Sequence, residues 1–165
     1  MRQRISYWTL LATFLFLAGV FIQCDKKEST TGNYIAVTQF DPNRDAARDI
    51  EEAIAEAQRT GKRIILDVGG DWCIWCHKLD QFFKENDDID RFMEKHFIVV
   101  KINYSKENRN EEVLSRYPKI PGYPHLFVLD SDGKLLHSQD TGQLESGDYH
   151  DRDKVFSFLK AWAKS

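Results

Sequence analysis

Two cysteines three positions apart, in Asp71-Trp72-Cys73-Ile74-Trp75-Cys76-His77, are the most chemically informative feature of this 165-residue chain. A Cys-x-x-Cys pair at the start of a helix has a physical purpose. The helix dipole and the free backbone N–H groups stabilise a thiolate on the first cysteine. That thiolate is a nucleophile toward disulfides, and a second thiol one helical turn later can resolve the mixed disulfide by intramolecular attack. The spacing predicts Cys73 as an exposed attacking sulfur and Cys76 as a more buried resolving one. Such a pair is itself the redox group, a Cys73–Cys76 disulfide that works with no metal or organic cofactor. Other chemistries fit the same string. Cys73-Ile74-Trp75-Cys76-His77 satisfies the attachment motif of c-type haem, with His77 as proximal ligand and Met93 as the only methionine besides Met1. Zinc on Cys73, Cys76 and His77 would lack a second ligand pair. Two core cysteines that happen to lie close would do no chemistry at all.

The neighbouring segments show what must hold this motif. Residues 64–68 are an apolar run, interrupted only by Asp67 and bounded by Lys62-Arg63 and Gly69-Gly70, which reads as a buried strand. A helix is predicted from about Cys73 to Phe83 and a second piece over 89–95. Upstream, Asp41-Pro42-Asn43 turns into a helix over 45–59, with apolar positions at helical spacing and Gly61 as C-terminal cap. Downstream come a strand over 97–102, a short helix over 111–116 and a loop over 117–124 with three prolines. A strand over 125–129 then turns through Ser131-Asp132-Gly133 into a hairpin partner over 134–138. Asp151 can cap a last amphipathic helix carrying Val155, Phe156, Phe158, Leu159 and Trp162. This order implies an α/β fold, a central mixed sheet flanked by helices on both faces. The polar stretch 145–151, His150 included, reads as solvated surface.

With these elements in place, residues 40–162 resemble the thioredoxin superfamily, and within it periplasmic thioredoxin-like proteins related to the C-terminal domain of the thiol:disulfide interchange protein DsbD. Asp67, six residues before Cys73, matches a buried acid that assists proton transfer at the resolving cysteine. Lys101 matches the lysine that faces this acid, Trp72 the tryptophan before the first cysteine, Pro124 a cis-proline, and Gly142 a glycine after the last strand. The resemblance implies Cys73, Cys76, Asp67 and Lys101 as the catalytic set, and Trp72, Trp75, Tyr123, Pro124 and His125 as a substrate groove. A carboxyl on a buried strand has a raised pKa and can exchange protons near neutral pH. A cis X–Pro bond would bring the Tyr123 backbone alongside the site, where an extended substrate could pair with it. Ile74-Trp75 between the cysteines, His77 after them and His125 after the proline depart from the common pattern. They bear on the redox potential and partner, not on the reaction class. A thioredoxin-fold binding or chaperone module without turnover is the other reading of this fold.

The N-terminus has its own signature. Arg2 and Arg4 precede an uncharged, mostly apolar run over 5–23, and Cys24 stands at the boundary with Asp25-Lys26-Lys27-Glu28. A basic start, an apolar middle and a polar exit describe an export signal. The run approaches the roughly 20 residues that span a bilayer, so an uncleaved anchor is an alternative. The flanking charges place the rest of the chain outside the cytoplasm. Cys24 resembles the lipidated cysteine of bacterial lipoproteins, although Gln23 stands where a small residue is usual. The expected organisation is an export segment over 1–24, a tether and lead-in over 25–39, and the thioredoxin-like domain over 40–165. Loss of the first segment leaves 21 basic against 26 acidic residues, a net charge of −5.

Composition agrees with one globular domain. Hydrophobic residues make up 42%, aromatics 13% and charged residues 30%, with 9 Gly and 4 Pro, which excludes a disordered or collagen-like chain. The net charge of −3 carries no basic excess for nucleic acid, and three cysteines are too few for a disulfide scaffold. The expected partners are therefore protein thiols and disulfides, a membrane thiol-electron conductor, and the membrane through the N-terminal anchor. The domain itself is expected to be a monomer in the periplasm or cell envelope.

Overall fold

A computed structural model describes residues 33–164. The export segment 1–24, Cys24 and the first part of the tether lie outside the described residues. Helix α1 (Ala46–Thr60) is followed by strand β1 (Arg63–Gly69), helices α2 (Ile74–Glu85) and α3 (Asp87–His96), and strand β2 (Phe97–Asn103). A one-turn helix α4 (Glu111–Leu114) precedes the hairpin of β3 (His125–Leu129) and β4 (Leu135–Asp140). A 3-10 turn (Thr141–Leu144), a short hairpin of β5 (Glu145–Ser146) and β6 (Tyr149–His150), and helix α5 (Arg152–Trp162) complete the chain.

Strand order is β2-β1-β3-β4, with β1 parallel to β2 and antiparallel to β3, and β4 antiparallel to β3. The expected mixed α/β sheet is thus what forms, and its alternation sorts the core into two layers. Ile64, Leu66, Val68, Phe127 and Leu129 pack with Ile50, Ala53 and Ala57 of α1. Ile65, Leu126 and Val128 pack on the other face with Leu79, Phe82, Ile89, Val155 and Leu159 of α2, α3 and α5. Among the described residues, no helix is long and apolar enough to cross a membrane.

Local signals place the ends of these elements. The Asp45 carboxylate accepts from the N–H groups of Ala47 and Arg48, and Gly61 takes the left-handed conformation (φ 74°) that ends α1. Asp151 caps α5 in the same way. Three expectations are corrected. The hairpin partner of β3 runs over Leu135–Asp140, since Gln139 and Asp140 continue the pairing with Leu126 and His125. The short helix stops at Leu114. The stretch 145–151 forms the β5–β6 hairpin and the cap of α5, and His150 in it is buried rather than solvated. Ahead of α1, Val37 is buried and bridges Val100, and Lys101 N–H donates to its carbonyl at 3.1 Å.

Candidate active site

The cysteine pair sits where a central strand hands over to a helix. β1 ends at Gly69, Cys73 N–H donates to the Gly70 carbonyl at 2.9 Å, and Cys73 becomes the N-cap of α2 with extended backbone. Its sulfur therefore occupies the place of a capping oxygen: Cys76 N–H donates to Cys73 Sγ at 3.1 Å. This is the thiolate-stabilising geometry expected from the spacing. The two sulfurs are joined as a disulfide. Cys73 is only 3% exposed, so the expectation of an open attacking sulfur is corrected. Phe40, Trp75 and Tyr123 enclose the pair in an apolar cluster.

Gly69 is required at this junction. A Cβ there would collide with Cys76 Sγ and press on the Phe40 ring. Asp67 lies two residues earlier and so on the same face of β1 as that collision, the face toward Cys76. Its Cα partner across the parallel register is Lys101, whose Nζ donates to Asp67 Oδ2 at 3.2 Å. Lys101 Nζ also donates to Asp80 Oδ1 at 2.6 Å and lies 4.2 Å above the Phe40 ring. Burial pushes the Asp67 carboxyl above its ordinary value, and nearby Asp80 adds to this while Lys101 opposes it. Burial works against the Lys101 ammonium, but Asp67 and Asp80 outweigh it and its pKa ends raised. A buried carboxyl of raised pKa, paired with a cation, thus lies on the face of β1 toward Cys76. Asp80 was not anticipated. It follows Cys76 by four residues on α2, one face of the helix, and that spacing was the available signal. Phe40 carried no such signal.

The residues expected around the pair divide into two groups. Trp72 is 58% exposed, donates from Nε1 to the Tyr104 carbonyl at 2.7 Å, and meets Tyr123 edge-on at 5.6 Å. Tyr123 stacks on Tyr104 at 4.8 Å, and burial with its neighbour pushes its hydroxyl up to about 12. The Tyr123-Pro124 bond is cis, and the buried Thr141 hydroxyl donates to the Pro124 carbonyl at 2.5 Å. His125 is corrected as a groove residue. Its ring is buried at 4.7 Å from Phe127, on the α1 side of the sheet, with Nε2 at 2.8 Å from Ser138 Oγ. Burial lowers its pKa. Gly142 lies in the 3-10 turn, its N–H held by Asp140. His77 donates from Nε2 to the Asp71 carbonyl at 2.8 Å, and Met93 packs into the core cluster on α3. Among the described residues, no group of three or more His, Cys, Asp or Glu side chains is set to hold a metal.

Comparison with known proteins places this arrangement. A disulfide bond reductase of Chlamydia pneumoniae, DsbH, is 29% identical over 52% of this chain and 56% of its own length, so this chain spans about half of that relative. A solved structure described as a disulphide isomerase from Xylella fastidiosa Temecula1 is 29% identical with a TM-score of 0.65, over 77% of this chain and 97% of that one. The C-terminal domain of Neisseria meningitidis DsbD, in its oxidised form, has the same fold at 20% identity and a TM-score of 0.54, over 72% and 96% of the two chains. The family model described as thioredoxin-like matches residues 45–131. That match runs unbroken from α1 through the disulfide turn to the end of β3, and the chain belongs to the thioredoxin-like family.

Proposed function

We propose that this protein is an exported thiol–disulfide oxidoreductase acting on cysteines of extracytoplasmic proteins. The observation that carries this reading is the Cys73–Cys76 disulfide at the cap of α2, beside the buried Asp67–Lys101 pair. In the reducing direction, the Cys73 thiolate attacks one sulfur of a substrate disulfide and the other substrate sulfur leaves as a thiolate. Cys76 then gives its proton to Asp67 and attacks Cys73. The Cys73–Cys76 disulfide forms, the second substrate sulfur leaves, and two electrons have passed to the substrate. Lys101 holds the Asp67 carboxylate once its proton moves on. The cis-proline loop offers backbone to an extended substrate beside Trp72 and Trp75. The name of the Chlamydia relative supports the reducing direction, and a membrane thiol conductor would then return the electrons.

A full-length preparation should reduce insulin disulfides with dithiothreitol. Cys73→Ser should abolish this, and Cys76→Ser should accumulate mixed disulfides. Equal activity in the wild type and both variants would overturn the reading. Equilibration with glutathione or dithiothreitol fixes the direction: a potential near about −270 mV marks a reductant and one near about −120 mV an oxidant.

Export and anchoring belong to the same reading. The basic start, apolar run and Cys24 support a lipidated N-terminus that keeps the domain at the membrane surface. Wild-type cells should incorporate labelled fatty acid into the protein, and Cys24→Ser should lose the label. A Cys24→Ser protein that stays in the membrane at precursor length, with no label in the wild type, points instead to an uncleaved anchor.

A further inference from the structure

The β5–β6 hairpin is seated on the first turns of α2, beside the redox pair. His150 is 7% exposed, its ring edge-on to Trp75 at 5.6 Å and 6.1 Å from Phe82. Neither of its ring nitrogens has a hydrogen-bond partner among the described residues. Lys78 Nζ donates to the Asp148 carbonyl at 2.8 Å and stands 4.1 Å over the Trp75 ring and 5.8 Å over that of Tyr149. The base of the hairpin is tied down by Asp151 N–H on the Leu144 carbonyl at 2.8 Å and by Lys154 Nζ on the Glu145 carbonyl at 2.6 Å. Trp75 in turn packs against the cluster of Phe40, Cys73 and Cys76. A continuous path of contact therefore runs from the hairpin through His150 and Trp75 to the disulfide. Trp72 leans on Tyr104 and Tyr123 instead, so the two tryptophans are supported by different parts of the chain. Of four exposed large hydrophobic side chains among the described residues, three belong to this neighbourhood: Trp72, Ile74 at 68% and Tyr149 at 75%.

We propose that the β5–β6 hairpin is a specificity-determining wall of the redox site, seated by His150 as the positioning residue wedged between Trp75 and Phe82, and that it takes an extended, cysteine-bearing protein segment whose apolar side chains pack on Ile74, Trp75 and Tyr149. This rests on the thiol–disulfide reading above. Exposed aromatic and aliphatic groups next to a sulfur that must be reached by another chain are suited to apolar contact, since the redox chemistry itself fixes only the cysteine. The wedge works as a neutral ring. The charged groups on the elements around it are Lys78 on α2, Glu145 on β5, Asp148 in the turn, and Asp151, Arg152, Asp153 and Lys154 at the head of α5. Burial holds the imidazole below its ordinary value, and Lys78 adds to this. Acid therefore loosens the wall: a protonated His150 would bring a second cation beside Lys78 in an apolar niche.

The test compares insulin, a protein disulfide, with 5,5′-dithiobis(2-nitrobenzoate), a small one that needs no wall. His150→Ala and Tyr149→Ser should raise KM for insulin by about three- to tenfold with kcat kept, while reaction with the small disulfide changes by less than about twofold. His150→Phe, apolar and uncharged at every pH, should restore the insulin KM. Below about pH 6.5 the wild-type KM for insulin should rise relative to that of His150→Phe. Unchanged insulin KM in both His150→Ala and Tyr149→Ser overturns the proposal, as does an equal loss with the small disulfide. Should His150→Ala not fold, Tyr149→Ser decides the matter, because its side chain is exposed. A wild type that exchanges with neither disulfide removes the thiol–disulfide reading, and the wall with it.

Discussion

Asp67 and Lys101 face one another across the parallel register of β1 and β2, with Lys101 Nζ 3.2 Å from Asp67 Oδ2. The same ammonium holds Asp80 at 2.6 Å, and the Phe40 ring lies 4.2 Å below it. A lysine shared by two carboxylates and an aromatic face keeps its charge. It leaves Asp67, the more deeply buried acid, as the group whose proton can move. The second Asp67 oxygen, Oδ1, has no hydrogen-bond partner among the described residues and so is free to receive that proton.

Asp67→Asn removes this acceptor while keeping the shape. Release of the mixed disulfide by Cys76 should slow by about tenfold or more at neutral pH, within the range of general-base effects, while the first attack by Cys73 changes little. Stopped-flow decay of a preformed mixed disulfide against the rate of its formation separates the two steps. If both keep wild-type rates across the pH range, Asp67 only supports the fold.

The same carboxyl makes stability depend on pH. Its folded pKa is raised above the ordinary 3.8, so the folded chain binds the proton more tightly than the unfolded one. The stability this confers is complete below the ordinary value and is lost as pH rises through the raised value, where the fold must keep a desolvated carboxylate. Denaturation midpoints of wild type relative to Asp67→Asn should therefore fall as pH rises above the ordinary carboxyl value. A difference that stays level over that range counts against a raised pKa.

Gly69→Ala adds a methyl where Cys76 Sγ and the Phe40 ring already lie. The cost should be about 1–3 kcal/mol in urea unfolding, the usual result of overpacking. Mixed-disulfide release should slow as well, since Cys76 is the group displaced. An alanine variant as stable and as fast as wild type would mean that the junction can open without loss.

Thr141→Val leaves the buried Pro124 carbonyl without the hydroxyl that now donates to it at 2.5 Å. Stability should drop by about 1–3 kcal/mol, the cost of an unpaired buried polar group. Thr141→Ser should recover most of it. If serine is no better than valine, the methyl packing of Thr141 matters rather than its hydroxyl.

Much of this architecture could be read along the chain, because it depends on short-range pattern. The apolar run 64–68, bounded by Gly69-Gly70, reads as a buried strand, and Asp67 inside it as a buried acid. Asp45, Asp151 and Gly61 mark helix ends through bonds to neighbouring residues. Cys-x-x-Cys at a strand–helix junction carries its chemistry in its spacing. Other features exist only because distant segments meet. Asp80 reaches Lys101 across 21 residues, and Phe40 comes from the segment before α1 to cover the pair. His150 stands in a polar string that has every local mark of solvated surface; its burial depends on Trp75 and Phe82 being delivered by α2. Cys73 is enclosed for the same reason, by Trp75 and Tyr123 from elements on either side. His125 turns away from the groove because strand alternation after Pro124 points its ring toward Phe127. Which groups can exchange electrons and protons is a property of residue types and their local spacing, and so is legible along the chain. Which of them share a dielectric environment is settled by the fold, because desolvation and packing depend on what other elements bring to the same place.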